Sequence, residues 1–106
     1  MFKNIDNKEF EELMNKENTI LLDIRSIEEY EYEHIGGAKL IEYDDIDFEE
    51  LIDSLDRDKT YLLYCRSGRR SFNTMILMEE YNFSEVYNLK DGILSWEAKE
   101  KLSKSR

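Results

Sequence analysis

The chain has 106 residues, of which 25 are acidic and 15 basic, and its net charge is −10 at neutral pH. Nucleic-acid binding needs a basic surface that displaces counterions from phosphates, so we expect no nucleic-acid partner. One cysteine and one histidine exclude an intramolecular disulfide and the usual multi-ligand metal sites, and we expect neither a metal nor a cofactor.

The length of the chain is that of one domain. We expect a single domain over residues 1–106, with a core from about residue 5 to residue 100. No apolar run approaches the length of a bilayer span, and no signal segment opens the chain. These features predict a reduced, cytoplasmic protein that does not bind membranes, and we expect a monomer.

The first half of the chain alternates apolar runs with capped helices. Capping boxes at residues 6–9, 26–29 and 47–50 predict three helix starts. The run TILLDIR, residues 19–25, is typical of a strand covered on both faces. The predicted elements are an edge strand at 2–5, a helix at 7–16, a strand at 19–25, a short helix to about 33, a strand at 39–43 and a helix at 48–55.

The second half continues the alternation. Tyr61–Tyr64 predicts a strand that leads into Cys65, and the helix after the cysteine ends near Asn82, which can adopt the left-handed conformation that closes helices. The remaining predicted elements are a strand at Val86–Leu89, a helix from Gly92 to about Leu102, and a frayed tail at 103–106.

Strands that alternate with helices through short connections predict an α/β fold. We expect a central parallel sheet of about five strands with helices on both faces. Ligands bind such sheets at the carboxyl ends of the strands. Asp23, Arg25 and Cys65 follow or end two of the predicted strands, so they are expected on the same rim.

The stretch from Cys65 to residue 71 carries the strongest chemical signal. A tight loop before a helix directs backbone N–H groups and the positive helix end toward one point, which suits an anion. Cationic neighbours lower a thiol pKa from about 8.5 to between about 3.5 and 7.5. We therefore predict a nucleophilic Cys65, against the alternative of a buried structural cysteine. The predicted anion-binding residues are Arg66, Ser67, Gly68, Arg69, Arg70 and Ser71.

Supporting roles are predicted for Asp23, Arg25 and Glu29. Arg25 and Glu29 are four residues apart and are expected to pair, with Glu29 also serving the helix cap. Asp23 is expected to accept hydrogen bonds from the loop or from an arginine. His34 is expected to be part of the scaffold, because nothing in its spacing makes it a general base for Cys65.

The sequence CRSGRRS, residues 65–71, resembles the active-site loop of the rhodanese sulfurtransferases. The stretches that are also similar to this family are LDIR at 22–25 with EY at 29–30 and HIGGA at 34–38, and FSEVYNLKDGILSW at 83–96. Order and spacing agree across residues 19–96. The departures are Glu33 and Asp91 in place of glycine and Gly36 in place of proline, and none lies in the cysteine loop.

The resemblance implies a rhodanese-like fold and a thiosulfate sulfurtransferase activity. Cys65 would take a sulfane sulfur from a small anionic donor such as thiosulfate as a persulfide and pass it to cyanide, a thiol or a partner protein. A non-catalytic or partner-fed sulfur-relay or regulatory interaction module is the alternative. Cysteine phosphatases of the same fold place an arginine six residues after the cysteine, where this chain has Ser71, so phosphatase activity is less favoured.

Overall fold

The structure is a computed structural model, and it describes residues 1–104. The strands are β1 (Phe2–Ile5), β2 (Thr19–Asp23), β3 (His34–Ile35), β4 (Lys39–Leu40), β5 (Thr60–Tyr64), β6 (Glu85–Leu89) and β7 (Leu102–Ser103). The helices are α1 (Asn7–Met14), α2 (Ile27–Tyr32), α3 (Phe48–Asp53) and α4 (Arg69–Glu80).

Five strands form one parallel sheet in the order β1-β6-β5-β2-β4, with β1 at an edge as predicted. The middle strand β5 is buried on both faces. Leu62 and Tyr64 pack into a cluster with α1, whereas Tyr61 and Leu63 pack into a second cluster with α3 and α4. Successive side chains of a strand point to opposite faces, so the apolar run of β5 requires cover on both. The predicted sheet with helices on both faces is confirmed.

Two of the three predicted helix caps are present. The Asp6 side chain accepts a hydrogen bond from the N–H of Glu9, and Ser26 and Glu29 form both bonds of a capping box. The third prediction is wrong, because Asp47 makes no side-chain cap bond to α3. Its own N–H instead donates to the Asp45 carboxylate at 2.8 Å, a local turn that competes with the cap.

The predicted C-terminal helix is also wrong. Residues 93–101 contain two short 3₁₀ turns, Ile93–Ser95 and Lys99–Lys101, separated by an extended Trp96. Trp96 is fully buried and contacts Phe10 edge to face, with ring centroids 5.8 Å apart. The extended backbone at Trp96 ends the first 3₁₀ turn while the indole lies in the core. Burial of this large side chain therefore takes precedence over a continuous helix.

The end of the chain packs where a frayed tail was expected. Leu102 and Ser103 form β7, which pairs antiparallel with β3. Lys104 places its ammonium 5.6 Å from the centre of the Tyr32 ring. Ser103 is thus paired within a strand and not frayed, whereas residues 105–106 of the predicted tail lie outside the described residues. Within residues 1–104, no helix is long and apolar enough to cross a membrane.

The neighbouring strands β2 and β5 set the position of the rim that carries the cysteine loop. Asp23 lies opposite Tyr64, and the N–H of Ile24 donates to the Tyr64 carbonyl at 2.8 Å. The predicted strand at 39–43 is shorter than expected, but Ile41 and Tyr43 still donate to the carbonyls of residues 23 and 25. Because β2 and β5 end side by side, the residues that follow them meet at one edge.

Candidate active site

The sulfur of Cys65 lies inside a loop that joins β5 to α4. The Sγ atom accepts hydrogen bonds from the N–H of Gly68 at 3.2 Å and from the N–H of Ser71 at 3.4 Å. The Ser71 hydroxyl lies 3.3 Å from the same sulfur and donates to it. The loop therefore presents three donors to one atom, the arrangement expected of an anion site at the start of a helix.

The pKa of the Cys65 thiol is lowered from its ordinary value. Burial is the largest single influence and acts to raise the pKa, since the cysteine is only 1% exposed. The hydroxyl and N–H of Ser71, together with the N–H groups of Gly68 and Ser67, outweigh that effect. Sequence reasoning assigned the lowering to the arginines, whereas hydrogen bonds from neutral groups are its main source.

Gly68 gives the loop its shape. Its φ of 99° lies in the left-handed region, where side chains are strained, and an added Cβ would overlap the carbonyl oxygen of Lys90. Positive φ and the close approach of the Lys90 backbone therefore each require glycine at this position.

Arg70 of the cysteine loop forms a bidentate ion pair with Glu29. Its two terminal nitrogens donate to the two carboxylate oxygens of Glu29 at 2.9 and 3.0 Å. The hydrogen bond from Arg70 is the main reason that the pKa of Glu29 falls to about 2. Glu29 also accepts the N–H of Ser26 at 3.0 Å, so a single carboxylate caps α2 and fixes the loop arginine.

The expected pair between Arg25 and Glu29 is absent. Arg25 donates instead to both carboxylate oxygens of Asp23, at 2.8 and 2.7 Å, and to the carbonyl of Glu33 at 2.7 Å. Arg25 precedes the helix cap and does not lie on α2, so the spacing of four residues does not bring it to Glu29. The expectation that Asp23 accepts from an arginine is confirmed.

Tyr64 bonds to the buried ion pair of Asp23 and Arg25, a contact that the sequence did not predict. Its hydroxyl donates to Asp23 at 2.5 Å and accepts the N–H of Ile35 at 3.0 Å. Burial, followed by the charge of Asp23, raises the pKa of Tyr64, which keeps the hydroxyl a donor. The only sequence signal was a tyrosine at the end of the strand that delivers the cysteine.

The turn after β6 braces the cysteine loop from outside. The N–H of Ile93 donates to the carbonyl of Cys65 at 2.9 Å, and the N–H of Leu94 donates to that of Arg66 at 3.1 Å. The buried Asn88 donates to the Gly68 carbonyl at 3.1 Å. These supports were missed because hydrogen bonds across distant segments leave no local pattern.

The other predicted residues lie at the surface of the loop or in the scaffold. Arg66, Ser67 and Arg69 are exposed, so two of the three loop arginines face solvent. Their side chains line different depressions, Arg66 beside α2 and Arg69 beside Lys90. His34, in β3, stacks on the ring of Tyr30 of α2 at a centroid distance of 3.8 Å, which suits its predicted scaffold role. No cluster of three metal-ligating side chains exists within residues 1–104.

The model of the rhodanese-like domain family matches residues 6–99. This chain belongs to the rhodanese-like domain family. A thiosulfate sulfurtransferase, GlpE, of Coxiella burnetii is 33% identical over 98 residues, which cover 92% of this chain and 90% of the relative. A putative sulfurtransferase, YtwF, of Bacillus subtilis is 36% identical over 91 residues, 86% and 85% of the two chains. The crystal structure of a rhodanese-like domain protein from Staphylococcus aureus superposes with a TM-score of 0.82, at 25% identity, covering 98% and 99% of the two chains.

Proposed function

We propose that this rhodanese-like domain is a sulfurtransferase that carries a sulfane sulfur on Cys65. The observation that supports the proposal most directly is the set of three hydrogen-bond donors within 3.4 Å of the Cys65 sulfur. They favour the thiolate, which is the nucleophilic form of cysteine. The names of the C. burnetii and B. subtilis relatives point to the same class of reaction.

In the first half of the reaction, the Cys65 thiolate attacks the outer sulfur of an anionic donor such as thiosulfate. A sulfur–sulfur bond forms to Cys65 while the bond inside thiosulfate breaks, and sulfite leaves with its electron pair. The exposed Arg66 and Arg69 draw the dianion to the loop, because local cations concentrate an anion even on an acidic protein. The persulfide left on Cys65 then accepts the loop N–H bonds.

In the second half, a thiophilic acceptor such as cyanide or a thiolate attacks the outer sulfur of the persulfide. The electron pair of the breaking bond returns to Cys65, which leaves as a thiolate. The donors that lower the pKa of Cys65 make it a better leaving group. One loop thus serves both halves, and no external oxidant or reductant is needed.

Phosphatase chemistry is poorly supported by the same loop. The position six residues after Cys65 is occupied by the buried Ser71, whose hydroxyl donates to the sulfur. Arg70 is one residue earlier and is engaged by Glu29. A tetrahedral phosphate would therefore lack the bidentate arginine that commonly grips such an anion.

Turnover tests the proposal against its alternatives. Thiocyanate formation from thiosulfate and cyanide is expected with the native protein and is expected to vanish in Cys65→Ser. Aryl phosphate hydrolysis is expected to be negligible in both proteins. A Cys65-dependent phosphatase rate comparable to sulfur transfer would refute the assignment. Persulfide formation without turnover from thiosulfate would favour the partner-fed relay instead.

A further inference from the structure

A groove of about 660 Å³ lies between α3 and α4, on the face of the sheet opposite α1. Phe48 and Thr74, which line it, are buried, and the exposed Ile76 and the half-buried Leu77 add apolar surface from α4. The turn before α3 contributes Ile46, whose exposed fraction of 97% is the largest among the large apolar side chains of residues 1–104. These side chains give the groove an apolar surface that is open to solvent.

The rim of the groove is acidic. The charged residues that line it are all carboxylates and come from both flanks: Asp45, Glu49, Glu50 and Glu80. Within residues 1–104, none of these four forms an ion pair. Arg57, the one base among residues 41–58, is already paired with Asp53. The groove therefore combines apolar surface with uncompensated negative charge.

This charge determines what can cover the groove. Nucleic acids and anionic lipid headgroups would be repelled, because both present negatively charged phosphates. A bare metal ion is a poor fit, because the described part of the chain holds no cluster of three metal-ligating side chains. A cationic partner gains from complementary potentials, which speed the encounter and fix the orientation of the complex.

The exposure of Ile46 distinguishes a protein from a small organic cation. A side chain that is 97% exposed projects from the surface, so a small ligand in the groove would leave most of it in water. The surface of a second protein would cover Ile46 and the groove together. The groove has room for one or two apolar side chains of such a partner, whereas flanking lysines or arginines reach the carboxylates of the rim.

The groove and the cysteine loop share α4 but do not overlap. Ser71, in the first turn of α4, donates to the Cys65 sulfur, and neither residue lines the groove. Ile76 and Glu80 lie about 8 and about 14 Å farther along the helix axis than Ser71, at a rise of about 1.5 Å per residue. A partner docked here would therefore leave the loop open to small ligands.

We propose that the groove between α3 and α4 docks a cationic segment of a partner protein, in which one or two aliphatic or aromatic residues are flanked by lysines or arginines. The apolar side chains of the segment pack against Ile46 and Ile76, and its cations face the carboxylates of Glu50 and Glu80. This inference goes beyond sulfur transfer and does not depend on it, because the thiol takes no part in the contact.

Selection from a peptide library tests the chemistry of the partner without assuming its identity. Random peptides displayed on phage are selected on the native protein, and clones that also bind the double variant Ile46→Ser/Glu80→Lys are removed. Both positions are exposed, so the variant should fold as the native protein does, which thermal unfolding checks. The remaining peptides should be rich in lysine and arginine and carry a large apolar residue. Neutral or acidic peptides, or no enrichment over the variant, would overturn the proposal.

Titration of the most enriched peptide, labelled with fluorescein and followed by anisotropy, then locates the contact at positions that the selection did not use. Ile76→Gln, which removes an apolar contact, and Glu50→Lys, which replaces an attraction by a repulsion, should each weaken binding about fivefold. Raising the salt concentration from about 0.05 M to about 0.3 M should weaken native binding severalfold, because exposed charges are screened. Cys65→Ser should bind as the native protein does.

Matched controls separate the groove from the acidic protein as a whole. Glu12→Lys, in α1 on the opposite face of the sheet, changes the net charge by the same amount as Glu50→Lys. Leu94→Gln removes an exposed aliphatic side chain outside the groove. Both should bind as the native protein does. Equal losses in Glu12→Lys and Glu50→Lys would indicate attraction to net charge alone and would overturn the docking site.

Self-association is measured on the same proteins by sedimentation. The native protein should sediment as a monomer at the concentrations used for the titration. A native dimer that Ile46→Ser dissociates would assign the groove to a second copy of this chain and would overturn the cationic partner.

Discussion

The hydroxyl of Ser71 offers the sharpest test of how the loop activates Cys65. Its single hydrogen faces two acceptors at 3.3 Å, the Cys65 sulfur and the Gly68 carbonyl. A hydrogen bond to a charged group contributes about 1.5–3 kcal/mol and a neutral one about 0.5–1.5, so switching from the carbonyl to the thiolate gains about 1.3 kcal/mol at the midpoints of these ranges, which is close to a tenfold change in the ionisation equilibrium. Ser71→Ala should therefore lower the thiolate population about tenfold at a pH below the thiol pKa.

Alkylation by iodoacetamide as a function of pH measures this effect. A more basic thiolate is also more nucleophilic, with a Brønsted slope of about 0.4–0.5. The higher pKa of the variant thiol should therefore make its thiolate react about threefold faster. Ser71→Ala should thus react about threefold more slowly on the low-pH limb and about threefold faster on the high-pH plateau, with the midpoint shifted upward. Ser67→Ala, an exposed serine whose side chain makes no bond to the sulfur, is the matched control. A Ser71→Ala profile that superposes on the native one would refute the hydrogen-bond account.

Three further changes test the loop and its supports. Gly37→Ala places a side chain at a φ of 89° with open space around it, and should lower the free energy of unfolding in urea by about 1–2 kcal/mol. Gly68→Ala adds overlap with the Lys90 backbone and should lower it further. Equal losses in the two variants would contradict the close approach at Gly68. The pKa of Glu29 is lowered from 4.5 to about 2, so its stabilisation is complete above about pH 4.5 and is lost as the pH falls toward 2. Glu29→Gln should therefore flatten the pH dependence of unfolding in that window, and an unchanged slope would argue against the Arg70 pair. Arg69→Gln should raise KM for thiosulfate by a larger factor than it slows alkylation of Cys65. Arg70→Gln, which leaves Glu29 without its partner, should change KM for thiosulfate and the alkylation rate together. Equal factors in the two measurements for Arg69→Gln would contradict its role in donor capture.

The sequence was sufficient for those parts of the fold that rest on local signals. The apolar run of β5 and the side-chain caps of α1 and α2 each act within a few residues, and each prediction is confirmed. The strand, loop and helix around the cysteine follow from the same short-range pattern. The alternation of strands and helices extended this prediction to the parallel sheet.

The contacts between distant segments could not be predicted. Strand register places Tyr64 opposite Asp23, and no local sequence pattern near either residue predicts their hydrogen bond. The spacing of Arg25 and Glu29 suggested a helical pair, but the partner of Glu29 is the loop residue Arg70, 41 positions later. Burial of a single tryptophan likewise replaced the expected C-terminal helix.

Formation of the Cys65 persulfide tests the central claim most directly. Intact-mass spectrometry after incubation with thiosulfate should show a gain of one sulfur atom on the native protein. A reducing agent should remove the added mass, and Cys65→Ser should not acquire it. A native protein that gains no sulfur from thiosulfate, polysulfide or a persulfide donor would contradict the assignment of this loop to sulfur transfer.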